Sequence, residues 1–186
     1  STLNAGDRLL IGADLDNGAI GLEQGGDGTV EVLNGASLIS ANVVIGGSGR
    51  LRLDTGTTID TEVENRGGVL QLGQGIAQVQ IDGDFVNEGS LTFDIAGTGA
   101  GDFDRLEITS GDARVAGDVT FAFTAGADVE AGDSFELVTA LDPDSSEGLD
   151  TSGLSTSTTG LDDSLGVNLV ASGNSLTLEV VDAALA

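Results

Sequence analysis

A five-residue pattern, in which a glycine is followed by two apolar residues at alternate positions, recurs through the first half of the chain. It reads Gly28-Thr-Val30-Glu-Val32, Gly49-Arg-Leu51-Arg-Leu53, Gly68-Val-Leu70-Gln-Leu72 and Gly89-Ser-Leu91-Thr-Phe93, with the glycines 21, 19 and 21 residues apart. Another glycine follows the first three by seven residues, at Gly35, Gly56 and Gly75. After each comes a further apolar series: Leu38, Ile39, Val43 and Ile45; then Ile59 and Val63; then Val79, Ile81 and Phe85. Alternation with a period of two turns one face of a strand inward, and glycine lets the chain corner where φ is positive. A unit of about 20 residues is too small to bury its own apolar face, so such units stack on their neighbours.

Stacking at about 4.8 Å per coil gives a solenoid with continuous parallel sheets, roughly nine coils for this length. Val30, Leu51, Leu70 and Leu91 then form one interior column, and Val32, Leu53, Leu72 and Phe93 the next. The alternative is an antiparallel β-sandwich with turns every 8–12 residues or so. Arg8-Leu-Leu-Ile-Gly12 matches Asn42-Val-Val-Ile-Gly46 at an offset of 34 residues, which calls for a longer coil or a loop between Asp14 and Gly28. The expected fold class is all-β: a parallel β-helix of about 20 residues per coil with a C-terminal β cap.

The expected organisation is β-helix coils over residues 1–97, then continuing β-helix and cap over 98–186 with an acidic loop near 141–163. All six Phe fall between Phe85 and Phe135, where the core thickens. Strands are expected over Arg105 to Thr109, Asp118 to Phe123, Ser134 to Thr139, Gly166 to Ala171 and Ser175 to Val181. The stretch Leu141 to Asp163, rich in Asp, Ser, Thr and Gly, reads as a long exposed loop.

Several residue runs resemble the β-helical passenger repeats of bacterial autotransporters and related surface and adhesin proteins. They are Val63-Glu-Asn-Arg-Gly-Gly-Val-Leu-Gln-Leu72 with Gly83-Asp-Phe-Val-Asn-Glu-Gly-Ser-Leu-Thr-Phe93, and, toward the passenger C-terminus, Phe103 to Gly111, Gly117 to Phe121, Ala131 to Val138 and Gly173 to Val180. The resemblance implies a right-handed parallel β-helix exported to the outside or cell surface of a Gram-negative bacterium. The chain departs from that pattern in carrying no membrane barrel, which admits a free fibre or matrix component.

Charge narrows the partners. Six Arg oppose 31 carboxylates for a net charge of −25, and the chain has no Lys, His, Cys, Met, Trp or Tyr. Nucleic acid and anionic membrane surfaces, both polyanionic, are therefore not expected partners. No run reaches the 18 or so apolar residues of a membrane span. A start at Ser1 without Met suits a processed product or an excised piece.

Without His, Cys or Lys there is no base for nucleophilic catalysis and no zinc-type ligand set. Polysaccharide cleavage by paired carboxylates is the remaining enzymatic alternative, but the aromatic platforms that hold sugar rings are missing, so no enzyme activity is expected. Calcium, which takes clustered oxygen ligands, is the one cofactor the composition invites, and none is required. The candidate ligands are Asp14 and Asp16 with Asn17; Asp102 and Asp104; Asp142, Asp144 and Glu147; and Asp162 with Asp163. Each cluster also suits a solvated Asx turn. Asn65 and Asn87 suit an internal amide ladder or turns, and Arg50 and Arg52, flanking Leu51 on an outward face, suit pairing with carboxylates such as Glu31 across coils.

The function expected is an extracellular structural protein: a filament, matrix or stalk module that associates end to end. The alternative is an adhesin module that holds a glycan or a surface protein through its loops, with or without calcium.

Overall fold

The computed structural model describes residues 2–12, 14–16, 19–21, 27–33, 35–141 and 149–185; for 14–16, 19–21 and 185 it describes the backbone alone. The described chain is all-β apart from one 3-10 turn at Ala183–Leu185. It visits three sheets in the same order six times. The first pass runs through β1 (Thr2–Asn4) and β2 (Leu9–Ile11), detours into a hairpin of β3 (Asp14–Asp16) and β4 (Ala19–Gly21), and ends in β5 (Gly28–Val32). The second comprises β6 (Ser37–Ile39), β7 (Val43–Ile45) and β8 (Gly49–Leu53); the third β9 (Thr58–Asp60), β10 (Val63–Asn65) and β11 (Val69–Leu72). The fourth comprises β12 (Gln78–Asp82), β13 (Phe85–Asn87) and β14 (Ser90–Ile95); the fifth β15 (Arg105–Ser110), β16 (Ala113–Val115) and β17 (Gly117–Phe123). The sixth comprises β18 (Ser134–Ala140), β19 (Leu149–Asp150) and β20 (Leu154–Thr159). The chain closes on a hairpin of β21 (Leu165–Ser172) and β22 (Ser175–Asp182).

The first sheet runs β1-β6-β9-β12-β15-β18-β22-β21, the second β19-β16-β13-β10-β7-β2 and the third β20-β17-β14-β11-β8-β5. Pairing between successive passes is parallel throughout, and only the closing hairpin is antiparallel to its neighbour, through β22 on β18. Three stacked parallel sheets around one core are compatible with a β-solenoid and not with an antiparallel sandwich.

The interior columns lie where the apolar alternation places them. Val30, Leu51, Leu70 and Leu91 align across the third sheet and continue to Val119. Val32, Leu53 and Leu72 form the adjacent column, and Phe93 aligns with Phe121, their rings stacked at 6.3 Å. All six Phe are buried, and Phe135 meets Phe103 and Phe123 edge-on at 5.3 and 6.4 Å. The 34-residue offset between Leu9 and Val43 is itself the register of β2 on β7, with hairpin β3–β4 taking up part of the extra length.

Three expectations change. The repeat glycines Gly28, Gly49, Gly68 and Gly89 do not have positive φ. They are glycine because the rungs touch: a Cβ on Gly49 would fall on the carbonyl of Ile11, on Gly68 on that of Gly46, and on Gly89 on that of Gly68. Positive φ belongs instead to the second series, at Gly35 (66°) and Gly56 (71°), and in the third unit to Gly73 rather than Gly75. The stretch read as a loop from Leu141 to Asp163 contains β19 and β20, and the Ser and Thr side chains of β20 are as compatible with an exposed strand as with a turn. Finally, six passes replace the nine coils that length alone suggested. The later registers lengthen to 28 residues (Ser90 to Asp118) and 37 (Asp118 to Ser155), and the closing strands return as a hairpin.

Candidate functional site

The most unusual polar group in the core is Asp104, whose side chain is fully buried. Between β14 and β15 the chain makes a short excursion that returns on itself. Phe103 bridges Ile95, and Ala96 and Asp104 donate backbone N–H bonds to the carbonyls of Asp102 and Asp94. This return swings Asp104 inward, where its two carboxylate oxygens accept the N–H of Ala77 at 2.6 Å and that of Asp94 at 2.7 Å. The carboxylate thus ties the fourth pass to the fifth at the corner between the third and first sheets. Burial pushes its pKa up to about 7; the two backbone N–H bonds pull the other way, and the neighbouring Asp94 adds to the rise. Asp94 is itself raised by burial.

Asp102, paired with Asp104 as a candidate calcium ligand, sits in a different environment: it is exposed, and its carboxylate lies over Gly97 and Gly99. Asp14 and Asp16 face Gly21 and Ala19 in hairpin β3–β4, and their side chains, like Asn17, Asp142, Asp144 and Glu147, lie outside the described residues. Asp162 accepts both the N–H and the hydroxyl of Ser164, at 2.9 and 2.6 Å, and these bonds hold its carboxyl below the usual range. Asp150 accepts the N–H and hydroxyl of Ser152 in the same way and also meets Arg114 at 3.2 Å, which together lower its pKa. Both are Asx turns, the local chemistry Asp offers without any ion. Among the described residues no group of three or more acidic side chains is gathered to hold a metal ion.

Two features lie on the outer faces. On the first sheet a shallow groove of about 300 Å³ runs across rungs and is lined by Gly56, Thr57, Gln78, Gln80, Arg105, Glu107 and Thr139 among others. Its charged groups are engaged: Gln80 donates to Glu107 at 2.8 Å and Arg105 meets Glu136 at 3.3 Å. It offers one or two hydrogen-bonding side chains on each of four successive passes, which suits an extended polar ligand better than catalysis. On the third sheet Arg52 pairs with Glu31 at 2.7 Å, directly across rungs, and Arg50 donates to Gln71 at 3.2 Å. Arg114 bonds Glu88 as well as Asp150.

Of the two arginines offered to Glu31, Arg52 makes the pair and Arg50 bonds Gln71 instead, and of the two settings open to Asn65 and Asn87 the ladder is the one formed; the role of Asp104 was missed. The one sequence signal was its place in Phe103-Asp-Arg-Leu106, two residues before Leu106 and so on the apolar parity of the strand that follows. Among the described residues no helix is long and apolar enough to cross a membrane. The sequence matches no family model and no curated protein.

Proposed function

We propose that the chain is a structural module of an extracellular or cell-surface assembly: a right-handed parallel β-helix of about 20 residues per coil, closed by hairpin β21–β22 as a cap, that associates end to end. The reading rests on one observation above others. Each of the three sheets ends, among the described residues, in a strand whose outer edge is unpaired: β1 and β21, β2 and β19, β5 and β20. A row of free N–H and C=O groups is a template for further strands. The first pass adds apolar surface, since Leu3 is 48% exposed although it aligns with the fully buried Leu38. The resemblance to autotransporter passengers supports the same location, and an outer surface of −25 net charge favours assembly in saline surroundings, where that charge is screened.

Negative-stain electron microscopy across salt and calcium concentrations tests it. Fibres or lengthened rods that appear as charge is screened or bridged support the proposal. Isolated rods of about 3–4 nm under all conditions, the height of six to eight strands, would overturn it.

The groove on the first sheet favours a second reading, an adhesin module holding an extended glycan. Glycan-array binding abolished by Gln80→Ala and Arg105→Ala together supports it; binding indifferent to both removes it.

A further inference from the structure

The two strands that end the first and third sheets, β21 and β20, differ from the rest in charge. Among the described strands of six or more residues, β14, β15, β17, β18 and β22 each carry at least one charged side chain, whereas β20 (LSTSTT) and β21 (LGVNLVAS) carry none. Edge strands of monomeric proteins are normally guarded by charge, proline or a bulge. Here the chain is strongly acidic, yet the two longest outer edges among the described residues carry no charge or proline of their own.

β21 is the better template of the two. It is eight residues long, and its alternation is set by its neighbour: Val167 and Leu169 align with Val180 and Leu178, both buried, so they face the core, but they are only half-buried. Between them Asn168 faces outward and is exposed, and Val170 is 37% exposed. One more strand beyond β21 would complete the cover over Val167 and Leu169 and satisfy the free edge.

We propose that this edge pairs with the same edge of a second copy, β21 against β21 across a two-fold axis, an inference that rests on the self-associating reading above. Charge selects this occupant. Two chains of −25 repel everywhere except where neither carries charge, and the β21 edge is such a place on both. A cationic partner would be drawn to the acidic faces instead. A two-fold axis makes the paired strands antiparallel, and inward residues meet inward residues only if a residue, not a peptide bond, lies opposite itself. Centring on Asn168 pairs seven residues, sets Val167 beside Leu169 of the second copy in a shared core, and brings the two Asn168 side chains together on the outer face.

The test uses that self-opposition. Size-exclusion chromatography with light scattering is run across salt concentrations, with the variants compared at the lowest salt that supports the wild-type dimer, on the wild-type chain, on N168K, on N168D and on an equimolar mixture of the two variants. Asn168 is exposed, so neither substitution threatens the fold. The expected result is a dimer for wild type, loss of the dimer in each variant alone, where like charges meet, and its recovery in the mixture. The chain has no cysteine, so N168C gives a clean second readout: it should oxidise to a cross-linked dimer, whereas S157C on β20 should not. Oligomers that persist in both charge variants, or cross-linking through S157C alone, would overturn this pairing while leaving self-association standing. A wild-type monomer at every salt concentration would remove both.

Discussion

Asn65 donates from Nδ2 to Oδ1 of Asn87 at 2.8 Å, one rung above the other and both fully buried. Asn87 in turn donates to the carbonyls of Ala116 at 2.5 Å and Gly89 at 3.2 Å. The ladder has two rungs because the next positions in register are Ile45 below and Val115 above. At its lower end the Oδ1 of Asn65 has no hydrogen-bond partner. The two amides are therefore unequal: Asn87 is satisfied on both sides and Asn65 on one.

That inequality sets an order of stability. Asn87→Ala leaves the Asn65 amide with only its bond to the Ser90 carbonyl, strands the carbonyl of Ala116 and should cost about 2–3 kcal/mol, whereas Asn65→Ala also removes an unpaired oxygen and should cost about 1 kcal/mol. Denaturant unfolding of both singles and the double variant checks this. The double should cost less than the sum, because the partner stranded by either single change is then absent.

The glycine ladder separates two reasons for glycine. In Gly89→Ala the new Cβ would meet the carbonyl of Gly68 and sit 2.6 Å from Oδ1 of Asn65, so a loss of about 3 kcal/mol or more is expected. Gly75→Ala meets nothing within 4 Å and has no positive φ, and should leave stability unchanged or raise it by about 0.4–1 kcal/mol. Thermal melts of the two variants side by side distinguish them, and equal effects would contradict the close-approach account.

Asp104 makes stability depend on pH in a direction opposite to that of a salt-bridged acid. Its folded pKa, about 7, lies above the ordinary 3.8, so the folded state holds the proton more tightly than the unfolded chain. The resulting contribution is fully present below pH 3.8 and is lost as pH rises through 7. A shift of this size corresponds to about 4 kcal/mol. Asp104→Asn cannot titrate, so the wild type should stand best against the variant below pH 3.8, lose ground steadily as pH rises to about 7, and hold a constant deficit above that. A stability difference that stays flat from acid to alkaline pH would show that Asp104 is not buried as described.

The Glu31–Arg52 pair joins two rungs on an outer face, with Glu31 43% exposed at its side chain. The Arg52 side chain is only 13% exposed, so the pair is half-buried, and Glu31→Gln should cost about 1 kcal/mol, and less in high salt. A larger, salt-independent loss would mean that the pair holds the third sheet together.

The stack was legible in the sequence because its cause is periodic. Val30, Leu51, Leu70 and Leu91 recur with glycines that must recur too, and even the odd 34-residue offset of Leu9 from Val43 turned out to be a register. Boundaries past Gly97 were readable from alternation alone, as in Ser134 to Thr139 within β18. What stayed hidden was not periodic. Thr156 and Thr158 occupy the columns of Val119 and Phe121, yet polar side chains at the open end of a stack look like loop. The inward turn of Asp104 depends on an excursion whose path no local pattern encodes. The reason for Gly68 and Gly89 lies in the rung beneath each, which spacing suggests only once the stack is known.

Sedimentation velocity at low and high salt tests the central claim most directly. At about 0.01 M salt the screening length is near 30 Å and chains of −25 should sediment as 18.5 kDa monomers; at about 1 M it falls to near 3 Å and larger species should form, reversibly on dilution of the salt. A monomer at both salt concentrations would contradict a self-associating structural role.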